Sequence, residues 1–223
     1  MVRARLARTG TVERATSLRQ DGTVAEREGR RWNHNIHFHS VVLGAVPAHA
    51  SSALDVGTGD GMLAVELRRT LTDVVAIDSS EAVLNAAAKQ HGGIEWVLGD
   101  VMTHDFGRTF DVVAAVAVVH HFPDLRRGLR RLAAVTSPGG SLVVVGLARA
   151  ASVRDHLYGV AGVVQHRWYS HRRTMWEHSA PTVWPPPHTY NEARAAAAGV
   201  LPGAQWRQYP LWRYVLTWRK PAR

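Results

Sequence analysis

The sequence predicts an α/β fold built on one doubly wound, mostly parallel sheet, and three observations carry that prediction. From Ala53 onward, short apolar runs alternate with helix-like segments, and each run ends where glycine or polar residues begin. The run from Val112 to Val119 is apolar throughout, as a central strand buried on both faces should be. Near the carboxyl end, the aromatic segments Trp206 to Tyr209 and Trp212 to Trp218 read as a closing antiparallel pair.

Each element follows in order. Strand one, Ala53 to Val56, runs into Gly57-Thr58-Gly59-Asp60-Gly61, and a helix from Gly61 to Thr70 carries Leu63, Val65 and Leu67. Strand two, Val74 to Ile77, ends at Asp78. Ser79 or Ser80 then caps a helix running through Asn85 and Lys89, with Glu81 near its positive end. Strand three, Ile94 to Leu98, ends at Gly99-Asp100, and strand four is Phe110 to Val116. Beyond it, Val118-Val119-His120-His121-Phe122 opens on the side where the strands end. Asp124 begins a basic helix to about Val135, and Ser137-Pro138-Gly139-Gly140 turns the chain into strand five, Ser141 to Gly146. A last helix, Asn191 to Gly199, precedes the closing pair.

A length of 223 residues suits one well-buried domain with a modest appendage. The division expected is an amino-terminal arm and helical cap over 1–50, then a domain over 51–223 interrupted by an insertion at 149–188. The absence of cysteine excludes disulfides, thiolate metal sites and thiol nucleophiles together. No apolar run approaches membrane-spanning length, so the protein is expected to be cytoplasmic with no membrane partner. The net charge of +9 invites a nucleic-acid reading until it is located. Residues 1–31 hold eight arginines against four acids, and residues 201–223 hold five basic residues against none. Residues 32–200 carry fourteen of each sign. The body is balanced, so nucleic acid is not the expected partner.

The glycine loop states the kind of ligand. Glycines at every second position let the backbone take positive φ and approach a ligand that a Cβ would push away. The helix that follows presents its unpaired N–H groups at the same place. A dinucleotide fingerprint, Gly-x-Gly-x-x-Gly, would need its third glycine at position 62, where the chain has Met62. The leading Asp55 would oppose a pyrophosphate, and it suits a ligand that carries positive charge.

Asp55-Val56-Gly57-Thr58-Gly59-Asp60-Gly61 resembles the first motif, (Asp/Glu)-x-Gly-x-Gly-x-Gly, of the class I, Rossmann-like S-adenosylmethionine-dependent methyltransferases. The Pro-Gly-Gly turn before strand five is similar to that family too. The resemblance implies a seven-stranded sheet, S-adenosylmethionine as cofactor and S-adenosylhomocysteine as product. It implies cofactor contacts from Asp55, Gly57, Thr58, Gly59 and Gly61. It also implies that Asp78, 23 residues after Asp55, accepts from the ribose hydroxyls with Ser79 beside it. Asp100 would accept from the adenine amine while Val101 or Met102 packs on the ring, and Ala115 to Ala117 would line the pocket. Helix capping by Asp78 and a turn role for Asp100 are the alternatives, since Asp is frequent in both.

Methyl transfer asks little of side chains, because the sulfonium already activates the methyl group and in-line positioning supplies much of the rate. A base is needed only where the acceptor loses a proton, and histidine suits that task. The candidates are His120 and His121 after strand four, and His34-Asn35-Ile36-His37-Phe38-His39 ahead of the core, with His37 the first choice there. Packing roles stay open for all of them. No known metal-ligand spacing is present, so no metal is expected. Residues 149–188 contain Tyr158, His166, Trp168, Tyr169, His171, Met175, Trp176, His178 and Trp184, which suits an acceptor-pocket wall or lid, with core packing or a homodimer interface as the alternatives for each. Three functions follow: methyl transfer to a small molecule, methylation of RNA or DNA, and cofactor binding without catalysis. No cysteine exists for pyrimidine C5 attack, and no Asn/Asp-Pro-Pro-Tyr follows strand four. Small-molecule methylation is the expectation.

Overall fold

Seven strands form one sheet in the computed structural model, which describes residues 31–176 and 184–222. The basic arm over residues 1–30 and His178 lie outside the described residues. In chain order the strands are β1 (Ser52–Val56), β2 (Asp73–Asp78), β3 (Glu95–Leu98), β4 (Phe110–Val116), β5 (Thr136–Leu147), β6 (Gln205–Tyr209) and β7 (Arg213–Arg219). Across the sheet they stand as β3-β2-β1-β4-β5-β7-β6. The first five are mutually parallel, with Leu54 opposite Val75 on one side and Val113 on the other. β7 runs antiparallel to β5 and to β6. The expected doubly wound sheet with a closing antiparallel pair is therefore present.

The helices are α1 (His39–Gly44), α2 (Met62–Arg68), α3 (Glu81–Gln90), α4 (Leu125–Val135), α5 (Val153–Arg172) and α6 (Tyr190–Val200). Alternation along the strands divides the interior into two layers. Leu54, Val56, Val113, Leu142 and Val144 face a core shared with Leu129 and Leu132 of α4 and Ala193 and Ala197 of α6. Ala53, Val112, Ala114 and Val143 face the other side, against Val42 of α1 and Leu63, Ala64 and Leu67 of α2. Both faces of β1 and β4 are thus covered, which explains their unbroken apolar sequence.

Two details differ from the sequence reading. The Pro-Gly-Gly segment lies inside a longer β5, where the ladder to β4 shifts register between Phe110 and Val112. Its backbone is held by the chain after β7: the Gly139 amide donates to the Lys220 carbonyl at 2.9 Å, and the Lys220 amide to Gly140 at 2.9 Å. The insertion is dominated by one 20-residue helix, α5, started by a capping box between Ser152 and Asp155. Its inner side buries Asp155 and Gly162, whereas Val153, Leu157, Val160, Val164 and Trp168 face outward and are exposed.

The chain leaves β1 toward β2 and β3, then crosses back to β4 on the other side. The carboxyl ends of β1 and β4 flank that switch point, where open α/β sheets bind ligands.

Candidate active site

A cavity sits at that switch point. One wall is Asp55, Gly57, Thr58, Gly59 and Asp60 after β1, with Met62 and Leu63 at the start of α2. Val116, Ala117, His120 and His121 continue it beyond β4, and Leu147 and Arg213 close the far side from the ends of β5 and β7. Asn33, Asn35, Ile36 and His39 come over it from the amino-terminal side.

The glycine loop has the backbone its sequence demands. Gly57 takes φ +63, and a Cβ there would lie 2.3 Å from Val118 Cγ2, so only glycine lets the loop pack on the segment after β4. Gly59 takes φ +56 with open space where a Cβ would stand, leaving the loop accessible at its middle. Asp55, at the end of β1, is 2% exposed and accepts the Thr58 hydroxyl at 2.7 Å. Burial lifts its carboxyl to about 6, although the Thr58 bond and nearby His39 pull the other way. A buried carboxylate with so little compensation favours a cationic ligand.

Asp78 accepts the Gly59 amide at 3.0 Å through one oxygen and the Ser80 amide at 2.9 Å through the other. Ser80 holds the position before α3 but makes no side-chain cap bond, so Asp78 does the local hydrogen bonding there. Ser79 and Asp100 are exposed just after β2 and β3, and neither they nor Asp78 line the cavity. Asp100 accepts the Met102 amide at 2.9 Å in a turn, and Val101 is buried in the core. Ala115 is fully buried within β4, whereas Ala117 lines the cavity with φ +57, an uncommon backbone for a residue with a Cβ.

The histidines separate clearly. His120 and His121 line the cavity with their rings 4.2 Å apart. His120 is buried and its Nδ1 has no hydrogen-bond partner among the described residues. Burial lowers its imidazole to about 4, with His121 and Arg213 adding to the effect, so it is neutral at pH 7. His37 does not line the cavity. It packs edge-on to Trp32, Phe38 and Tyr169, with ring centroids 5.0 to 6.4 Å away. Residues 36–38 form a 3₁₀ turn ahead of α1, so His34 and His37 do not share an α-helical face. His39, two residues on, reaches the cavity instead and pairs with Glu66 at 3.0 Å.

The insertion supports this roof from behind. Tyr169 of α5 stacks on the fully buried Trp32 at 5.0 Å, and His166 meets His34 at 3.0 Å. The Trp176 indole donates to Asp60 at 3.3 Å, and its amide to the Trp32 carbonyl at 2.9 Å. Trp168, Met175 and Trp184 are exposed.

Comparison with known proteins gives the family. Residues 54–144 match a family model described as a methyltransferase domain. An uncharacterized methyltransferase of Mycobacterium tuberculosis is 38% identical over 193 residues, covering 85% of this chain and 98% of that protein. The chain belongs to the class I S-adenosylmethionine-dependent methyltransferases. A demethylmenaquinone methyltransferase of Corynebacterium efficiens is 39% identical over 92 residues, covering 41% of this chain and 39% of its own. The fold is similar to that of S-adenosylmethionine-bound CalS10, an amino pentose methyltransferase of Micromonospora echinaspora involved in calicheamicin biosynthesis, with a TM-score of 0.58. That likeness is 17% identical in sequence and covers 98% of this chain and 100% of the other.

The methyltransferase's cofactor is S-adenosylmethionine; the buried Asp55 carboxylate suits a group that carries positive charge, and Gly59 leaves open space where a Cβ would stand. Asn33 and Arg213 line the cavity without being expected there from the sequence, and Asn35 joins them from within the histidine segment. Arg213 did carry a signal: it is the one cation within the aromatic run Trp212 to Trp218, at the start of a strand paired on both edges.

Proposed function

We propose that this methyltransferase moves the methyl group of S-adenosylmethionine onto a small-molecule oxygen, nitrogen or carbon by in-line displacement, without a metal. The observation that carries the reading is a single cavity joining the glycine loop and Asp55 on one side to His120, His121 and Arg213 on the other. When bound, the cofactor supplies a methyl group already activated by its sulfonium. The protein's task is then to hold the acceptor in line and away from water.

Asp78 and Ser79, after β2, take the ribose hydroxyls in this reading, and Asp100 with Val101 takes the adenine. Neutral His120, in the cavity lining, is the group this reading assigns to accept a proton from the acceptor; its neighbour His121 orients the acceptor. His37, behind Trp32, has no step. Among the described residues no three histidine, aspartate or glutamate side chains converge on a point. The amino pentose methyltransferase and the demethylmenaquinone methyltransferase are both named for small acceptors, which supports the same class here. A second copy of the chain is the partner this reading assigns to the outer face of α5, where Leu157, Val160 and Val164 are exposed.

The test is methyl transfer from labelled cofactor to a panel of phenols, amines and carboxylates, with total RNA as a competing acceptor. Label on a small molecule supports the reading, and label on RNA overturns it.

A further inference from the structure

Arg213 is an unusual residue to find at the far wall of this cavity. It is 7% exposed, and its Nε is buried without a hydrogen-bond partner among the described residues. Nη2 donates to Asn35 Oδ1 at 3.0 Å, and Nη1 reaches the Trp212 carbonyl only at 3.5 Å. A guanidinium has five donors, so most of its hydrogen-bonding capacity is unspent. No carboxylate pairs with it among the described residues. The groups near it are His34 and His120, both held neutral at pH 7 by burial, and Tyr190. Burial weakens the guanidinium's hold on its proton only to about 10, so Arg213 is a cation at neutral pH.

A buried, uncompensated charge is costly, and proteins keep such groups paired unless a ligand supplies the counter-charge. The cofactor is badly placed to do so. Arg213 opens β7 opposite Leu147, at the end of β5, and β7 is separated from β1 by β4 and β5. Three strand spacings put it about 14 Å across the sheet from the glycine loop. It therefore faces the side of the cavity away from the loop, close enough to His120 to act on its charge.

We propose that the methyl acceptor carries a carboxylate and that Arg213, positioned by Asn35, binds it. The planar fork of the guanidinium matches a carboxylate in two parallel hydrogen bonds, which fixes the acceptor's orientation as well as its charge. The proposal rests on the reading of this cavity as the acceptor site of a methyltransferase.

The experiment measures thermal stability of the full chain with saturating S-adenosylhomocysteine, then adds acetate, benzoate or salicylate, each against its amide. One or more carboxylates should raise the melting temperature while the amides do not. In Arg213→Met the response should disappear, and in Arg213→Lys it should weaken about 10- to 100-fold in apparent affinity, as for loss of a charged hydrogen bond. Arg213→Met without ligand should be at least as stable as the parent, because an apolar side chain replaces an unpaired buried charge. No response to any carboxylate, an equal response to amides, or a response that survives Arg213→Met overturns the proposal. A marked loss of stability in ligand-free Arg213→Met overturns it too, by showing a structural role. Failure of S-adenosylhomocysteine itself to raise the melting temperature counts against the methyltransferase reading instead.

Discussion

The Gly59 amide donates to Asp78 Oδ2 at 3.0 Å, tying the middle of the glycine loop to the end of β2. The other oxygen of Asp78 holds the Ser80 amide, so this carboxylate sets the shape of two loops. Asp78→Ala should lower S-adenosylhomocysteine affinity about 10- to 100-fold, the loss typical of charged hydrogen bonds. Asp78→Asn should retain part of the loop geometry and lose less. Calorimetric titration of both variants checks this, and equal affinity in Asp78→Ala and the parent counts against the assignment.

Gly57→Ala should abolish cofactor binding. Its Cβ would overlap Val118 Cγ2, and the left-handed backbone adds about 1–2 kcal/mol for any residue with a Cβ. The measurement is the melting temperature with and without S-adenosylhomocysteine: the variant should melt lower and lose the ligand-induced rise.

Asp55 makes stability depend on pH in a specific direction. Its folded carboxyl titrates near 6, from an ordinary value of 3.8, so between those values the folded chain holds a proton that the unfolded chain has released. Stability from this group is present below about pH 4 and is lost as pH rises to 6, amounting to about 3 kcal/mol if the whole shift is realised. His34 and His120, lowered from 6.5 to about 4, act in the opposite sense between those two values. Comparison with Asp55→Asn isolates the carboxyl: relative to the parent, the variant should gain stability as pH rises from 4 to 7 in urea unfolding. Its S-adenosylhomocysteine affinity should be weaker and lack the parent's rise with pH, since the cationic ligand favours the ionised acid.

His120→Gln should lower kcat about 100-fold for an acceptor that must lose a proton, with little change in KM for the cofactor. Because burial holds His120 at about 4, the acid limb it contributes to the parent's profile should fall near that pH rather than near 6.5. A pH–rate profile under saturating cofactor reads both effects.

The sheet was legible because its evidence is local and repeated. Parallel strands buried on two faces read as continuous apolar runs, and Asp55 and Asp78 stand at the ends of such runs, whereas Asp100 follows an exposed edge strand. The loop after β1 was legible for the same reason, since positive φ at 57, 59 and 61 selects glycine. Contacts made across long sequence distances were harder to read. His37 and His39 differ by two positions, and a 3₁₀ turn rather than an α-helix decides that His39 reaches the cavity while His37 packs on Tyr169. Arg213 joins the site only because β7 reverses against β5, a pairing that spans the insertion. Along α5 the apolar residues point outward, so counting large side chains there could not separate roof from surface.

The most direct measurement of the central claim is calorimetric titration of the full chain with S-adenosylhomocysteine at neutral pH. The glycine loop, Asp55 and Asp78 predict one saturable site per chain, lost in Gly57→Ala. Absence of binding by the parent chain, or undiminished binding by Gly57→Ala, would contradict it.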